Sequence, residues 1–291
     1  MTDLLVKNCF LLQKTDPQDI LIKGGIIKDI ASKISVDNIP TIDANFHFVT
    51  SPFVDSHFHM DATLSYGHPR VNESGTLLEG IKLWGELKPT LTADAIKDRA
   101  LRFCKWAIAR GTLAIRSHVD VSGQNLIGVE ALLDVREQMK DFIDIQLVAF
   151  PQDGLLRANC LDNLNTALDM GVDVVGGIPH FERTMEEGHE SIRILCEIAE
   201  KRGLLTDLHC DETDDPMSRH VEKLALETTR LGLKGRVAGS HLTSMHSIDN
   251  YYFTKLISLL VEADLNIIAN PLINITIQGR QDNYPKRRGL T

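Results

Sequence analysis

Between Ser51 and Asn270, short apolar and β-branched runs alternate with amphipathic segments of helical period, which restricts the chain to few folds. Seven runs read as strands: Phe53–His57, Leu113–His118, Ile145–Phe150, Val172–Gly177, Leu204–His209, Arg236–Ser240 and Asn266–Asn270. The segments between them carry helix signals. Thr92 can cap a helix that ends at Gly111. Ile192, Leu195, Cys196 and Ala199 fall at i, i+3, i+4 and i+7 before a stop at Gly203. Val221, Leu224, Ala225 and Thr228 repeat that spacing and end near Gly232. Strands joined through helices by short loops pair in parallel. Seven at roughly 30-residue spacing point to an α/β fold, a (β/α) barrel of the TIM type. In such barrels the sites lie at the C-terminal ends of the strands.

Residues 1–50 read differently, as part of a small β domain. Asp3–Leu12 is strand-rich, Thr15–Gln18 is a turn, and Ile20–Ile30 is a hairpin about Gly24-Gly25. Phe46–Thr50 is expected to add a further strand. Residues 51–291 then hold the barrel. The sequence closes on Pro285-Lys286-Arg287-Arg288-Gly289-Leu290-Thr291, with no run left for an eighth strand. The expectation is an incomplete barrel of about seven of eight strands, truncated before strand 8.

Composition removes several function classes. The 291 residues carry 31 Lys and Arg against 40 Asp and Glu, a net charge of −9 that repels phosphate backbones. No nucleic-acid partner is expected. No apolar run approaches the ~18 residues that span a bilayer, so no membrane partner is expected either. Asp3 and Lys7 interrupt the apolar stretch near the start, which argues against a signal peptide. The five cysteines are far apart and form no C-x-x-C pair, which fits free thiols in a reducing cytoplasm.

The chemistry-bearing residues gather at the predicted strand ends. His57 and His59 form an H-x-H pair at the first, and residues i and i+2 share a face of a strand. Alone, the pair is equally compatible with two unrelated loop histidines. His118 ends the second strand, His180 follows the fourth, His209 ends the fifth and His241 the sixth. Histidines at so many strand ends are hard to attribute to packing, and imidazole with carboxylate suits Zn²⁺ or Fe²⁺. Glu212 could serve as an acid/base beside that metal, although neighbouring Asp211, Asp214 and Asp215 also fit a solvated acidic loop. Gln152 follows the third strand, and its amide pairs a donor with an acceptor, which matches a pyrimidine edge or a simple turn. No lysine lies between Leu161 and Glu200 to bridge two metals, so one divalent ion is expected. The H-x-E pairs at His180 and His220 lack the P-C-x-x-C that accompanies H-x-E in one class of zinc enzymes. No G-x-S-x-G, P-loop or G-x-G-x-x-G occurs.

The chain resembles the bacterial cytosine deaminases of the amidohydrolase superfamily along nearly its whole length. Carrying segments are Val54-Asp55-Ser56-His57-Phe58-His59-Met60-Asp61, Ser74-Gly75-Thr76-Leu77-Leu78-Glu79-Gly80-Ile81, Gly176-Gly177-Ile178-Pro179-His180-Phe181-Glu182, His209-Cys210-Asp211-Glu212 and Tyr284-Pro285-Lys286-Arg287-Arg288-Gly289. His118-Val119-Asp120-Val121, Val148-Ala149-Phe150-Pro151-Gln152 and Asn270-Pro271-Leu272 complete the set. The resemblance implies hydrolytic deamination of cytosine to uracil and ammonia, a step of pyrimidine salvage. It implies that His57, His59 and His209 bind one Fe²⁺ or Zn²⁺. Glu212 would shuttle protons, His241 would activate water, and Gln152 would hold the small-molecule substrate, cytosine or a related ring. It further implies a homo-oligomer and a fourth metal ligand, an aspartate after an eighth strand that this sequence does not reach. Two alternatives follow: an inactive truncated remnant that acts at most as an interaction surface, and an aminohydrolase of a related amino-substituted ring.

Overall fold

The computed structural model describes residues 3–280. The Tyr284–Gly289 motif lies outside the described residues. The chain divides into two units, Met1–Phe53 and Val54–Thr291.

In the first unit β1 (Leu4–Cys9), β2 (Gln18–Lys23), β3 (Ile26–Ala31) and β4 (Thr41–Asp43) form one sheet in the order β3-β2-β1-β4. β2 and β3 make the expected hairpin, with Gly24 and Gly25 at φ 58° and 76°. Such positive φ values favour glycine. The strand expected at Phe46–Thr50 is not formed. Asn45 and Phe46 take φ of 48° and 61°, which breaks extended backbone, and only a single bridge joins Phe48 to Phe10. The fourth strand is Thr41–Asp43 instead, parallel to β1.

The second unit carries β5 (Phe53–Phe58), β6 (Thr112–Asp120), β7 (Asp144–Phe150), β8 (Val174–Gly177), β9 (Leu205–Cys210), β10 (Val237–His241) and β11 (Asn266–Ile268). They lie in sequence order, parallel, in one sheet. The sheet curls into a nearly closed barrel. Flat, it would hold β5 and β10 about 24 Å apart at ~4.8 Å per strand. Yet His57 on β5 and His241 on β10 approach to 3.1 Å.

Helices α1 (Leu77–Leu87), α2 (Ala93–Ala109), α3 (Ile127–Met139), α4 (Cys160–Asp169), α5 (Met185–Arg202), α6 (His220–Arg230) and α7 (Asn250–Ala263) connect the strands, and α8 (Pro271–Ile277) follows β11. Thr92 caps α2 by accepting from the Ala95 amide at 3.2 Å. Gly203, at φ 69°, ends α5, whose residues Ile192, Leu195, Cys196 and Ala199 are buried.

The strand period sorts side chains between two layers. On β6, Ile115 and Val119 point outward into the apolar core with α2 and α3, as Leu208 and Cys210 do on β9. The alternate residues Arg116, His118, Asp207 and His209 point inward. The apolar core is therefore the layer between strands and helices, and the barrel interior is polar. Among the described residues no helix is long and apolar enough to cross a membrane.

Candidate metal centre

Period-2 alternation also brings the histidines together. His57 lies in β5 and His59 just after it; His118, His209 and His241 lie at the ends of β6, β9 and β10. His59 Nε2 is 3.0 Å from His209 Nε2, and His57 Nε2 is 3.1 Å from His241 Nε2. His57 belongs to two overlapping triads whose ligand atoms all lie within 4.8 Å, one with His59 and His118, the other with His209 and His241. Phe150, buried at the end of β7, stacks on His209 with ring centroids 4.1 Å apart. That ring walls the cluster on one side and fixes the plane of His209.

The electrostatics keep His57, His59 and His209 neutral. Burial drives His57, His59 and His209 well below the usual histidine range, and the neighbouring imidazoles add to the effect. Neutral imidazole is the form that ligates metal. Two ring nitrogens 3 Å apart cannot both donate, and the buried Nδ1 atoms of His57 and His209 find no hydrogen-bond partner among the described residues. Clustered lone pairs with no protein donor fit a divalent cation of the Fe²⁺ or Zn²⁺ kind.

Beside the cluster lies a second pair of buried titratable groups, Glu212 and His241. Glu212, just after β9, is buried, and burial pushes its carboxyl up to about 8, partly offset by a hydrogen bond from Asn274. His241 is pulled down to about 4, mainly by burial. Its Nδ1 lies 3.1 Å from Glu212 Oε1. The backbone is strained at this point: Asp211, His241 and Leu242 have φ of 51°, 73° and 50°. Asp211 braces the loop. It accepts from the backbone amides of His220 and Val221 at 3.0 and 2.9 Å, from Ser218 Oγ at 2.7 Å and from His220 Nδ1 at 2.8 Å.

A cavity of about 640 Å³ opens onto Glu212 and is lined by Leu77, Leu78, His180 and Gln278, with Arg183 and Asp214 also in its wall. His180 sits in the turn after β8, its Nδ1 3.1 Å from the His209 carbonyl, so it braces the end of β9. The structure thus gathers His57, His59, His209, His241 and Glu212. Gln152 stands after β7, half-buried, and is not among the residues lining that cavity. Sequence reasoning missed Asn274, which touches both Glu212 and His241, and counted His118 among the strand-end histidines without giving it a role. Asn274 sits in a short helix with no signal of its own, whereas His118 had one, its place at a strand end.

Comparison with known proteins places the whole chain. The structure of 5-methylcytosine deaminase from Klebsiella pneumoniae liganded with phosphonocytosine superposes with a TM-score of 0.94 at 40% identity, covering 99% of this chain and 71% of that one. N-isopropylammelide isopropyl amidohydrolase of Pseudomonas sp. (strain ADP) is 30% identical over 279 residues, 91% of this chain and 67% of that protein. Pterin deaminase of Rhizobium rhizogenes is 28% identical, covering 94% of this chain and 63% of that one. The chain therefore spans about two thirds of the length of these relatives. The Amidohydrolase family model matches residues 40–291, and the chain belongs to that family.

Proposed function

We propose that this chain carries the site of a metal-dependent deaminase that hydrolyses an amino-substituted pyrimidine, cytosine in the first instance, to uracil and ammonia. The observation that carries the reading is the contact of a buried carboxyl, Glu212, with a cluster of histidines at the C-terminal end of the barrel. Likeness at 40% identity to a 5-methylcytosine deaminase supports the choice of ring.

His57, His59 and His209 would hold one Fe²⁺ or Zn²⁺, with His118 packed against them. When bound, such an ion supplies positive charge that brings the pKa of water toward about 7. Glu212 is placed to take the proton of the attacking water and deliver it to ring N3, so that no full negative charge builds there as C4 becomes tetrahedral. The second proton goes by the same carboxyl to the departing amine. His241, neutral and held by its Nδ1, orients the attacking oxygen through Nε2. Gln152 would hold the O2 and N1 edge of the ring. Leu77 and Leu78 give the cavity an apolar wall against which a ring face would pack.

A second reading keeps the reaction and changes the ring, because relatives of comparable coverage are an isopropylammelide amidohydrolase and a pterin deaminase. Ammonia release by the purified, Fe²⁺- or Zn²⁺-loaded chain, compared across cytosine, 5-methylcytosine, an aminotriazine and a pterin, tests both. Highest kcat/KM on a cytosine supports the first reading, and preference for another ring the second. Absence of turnover on all four refutes both for this chain.

A further inference from the structure

Asn274 lies in α8, fully buried beside the acid/base pair. Its Nδ2 donates to Glu212 Oε1 at 2.9 Å, and its Oδ1 lies 3.0 Å from His241 Nδ1. With the 3.1 Å approach of His241 Nδ1 to the same Glu212 oxygen, the three side chains close a ring. We propose that Asn274 is a positioning residue for the deamination: its amide locks Glu212 and His241 to each other, selects the His241 tautomer and leaves Glu212 Oε2 as the proton-carrying oxygen. The proposal rests on the roles given above to Glu212 and His241.

The chemistry of the amide makes the arrangement directional. The structure sets Nδ2, which can only donate, on Glu212 Oε1, and Oδ1, which can only accept, on His241 Nδ1. In this orientation, Oδ1 accepts from His241 Nδ1–H. A neutral imidazole with its proton on Nδ1 keeps its lone pair on Nε2, the atom that faces His57 at 3.1 Å. Glu212 Oε1 already faces two N–H groups, so a proton taken up by the carboxyl goes to Oε2. One amide thereby settles two protonation choices. It also ties down His241 where the backbone is strained, at φ 73°. An aspartate at this position keeps the acceptor for His241 and loses the donor for Glu212; alanine loses both.

The test uses the whole chain with Asn274→Ala and Asn274→Asp. Three quantities are followed: kcat and KM on the preferred ring, metal per chain by elemental analysis, and the ¹⁵N signals of the histidine rings. His241 is identified by the loss of its signals in His241→Gln. In Asn274→Ala, kcat falls about 100-fold, as expected for misplaced catalytic groups. KM moves less than about threefold, metal content is unchanged, and the His241 signals leave the Nδ1–H pattern. In Asn274→Asp, His241 keeps that pattern while kcat still falls. Unchanged kcat, or an unchanged His241 tautomer in Asn274→Ala, overturns the proposal, as does equal loss of metal and activity. If the alanine variant does not fold, the near-isosteric aspartate variant decides, and wild-type kcat there is refuting. If the unmodified chain deaminates nothing, the functional reading fails, and the tautomer measurement still judges Asn274.

Discussion

Replacing Glu212 with glutamine should remove turnover and raise stability, and the pH dependence of the second effect gives its cause. The carboxyl is fully buried and titrates at about 8, against an ordinary 4.5. Above pH 8 the folded chain must hold a buried charge that the unfolded chain hydrates freely. Below about 4.5 both states are protonated and the difference vanishes. Between these limits the folded state binds more protons, so stability falls as pH rises. The full difference corresponds to about 5 kcal/mol. Glutamine carries no titratable proton and is free of this window. In chelator-treated protein, Glu212→Gln should therefore melt at nearly the wild-type temperature at pH 5. At pH 8.5 it should melt roughly 10 °C higher, taking about 2–4 °C per kcal/mol for a large domain. In loaded protein the same variant should keep its metal and lose about 10²- to 10⁴-fold in kcat, the span of general acid–base catalysis. That is about 3–5 kcal/mol of transition-state stabilisation. Scanning calorimetry at the two pH values and an ammonia-release assay measure both effects. A melting difference independent of pH refutes the burial argument, and turnover within about threefold of wild type refutes the proton-transfer role.

Three further outcomes follow from the same geometry. His57→Ala breaks both imidazole triads, so metal per chain after Fe²⁺ or Zn²⁺ loading and desalting should fall well below stoichiometric; wild-type content would remove His57 from the ligand set. Asp211→Ala leaves four donors without their acceptor in a buried loop, which should lower unfolding free energy by about 3 kcal/mol or more in urea titration; a loss under about 1 kcal/mol would contradict the bracing role. Gln152→Ala should raise KM for cytosine about tenfold with a smaller change in kcat, the mark of lost ground-state binding; unchanged KM would assign the residue to the turn alone.

The barrel was legible because its strands obey a two-residue period and its helices a 3.6-residue one, both set by local geometry. All seven expected strands formed, with ends shifted by a few residues; Val172–Gly177 shortened to Val174–Gly177. The N-terminal unit was harder. There the outcome turned on φ values at Asn45 and Phe46 that no hydrophobic pattern encodes. Within the site, the histidines were visible because a strand end in such a barrel points at a common axis. Glu212 could be proposed from its place after His209. Asn274 could not: it reaches Glu212 across 62 positions and His241 across 33. Its role depends on where α8 lands after β11, a tertiary fact without a local signature.

The division of each strand between two layers links this legibility to chemistry. The outward residues of β6, β7 and β9 pack with the helices, where a fully buried Leu or Ile contributes about 1.5–3 kcal/mol. The inward residues form a polar interior. Arg116 Nη1 meets Asp207 at 2.9 Å, Arg116 Nε meets Gln146 at 2.7 Å, and Ser240 donates to Asp207 at 2.7 Å. Asp207 in turn lies 3.7 Å beneath His118 Nε2. Burial alone would push this carboxyl up, but His118, Ser240 and Arg116 together hold it below its ordinary value. One layer above, Glu212 has a single amide donor and no cation among the causes of its shift, and burial wins. Two buried carboxyls close to the same imidazoles are thus driven in opposite directions by their partners. The one paired with a guanidinium stays charged and fixes the floor beneath the histidines, and the one without such a partner has its titration moved toward neutral pH.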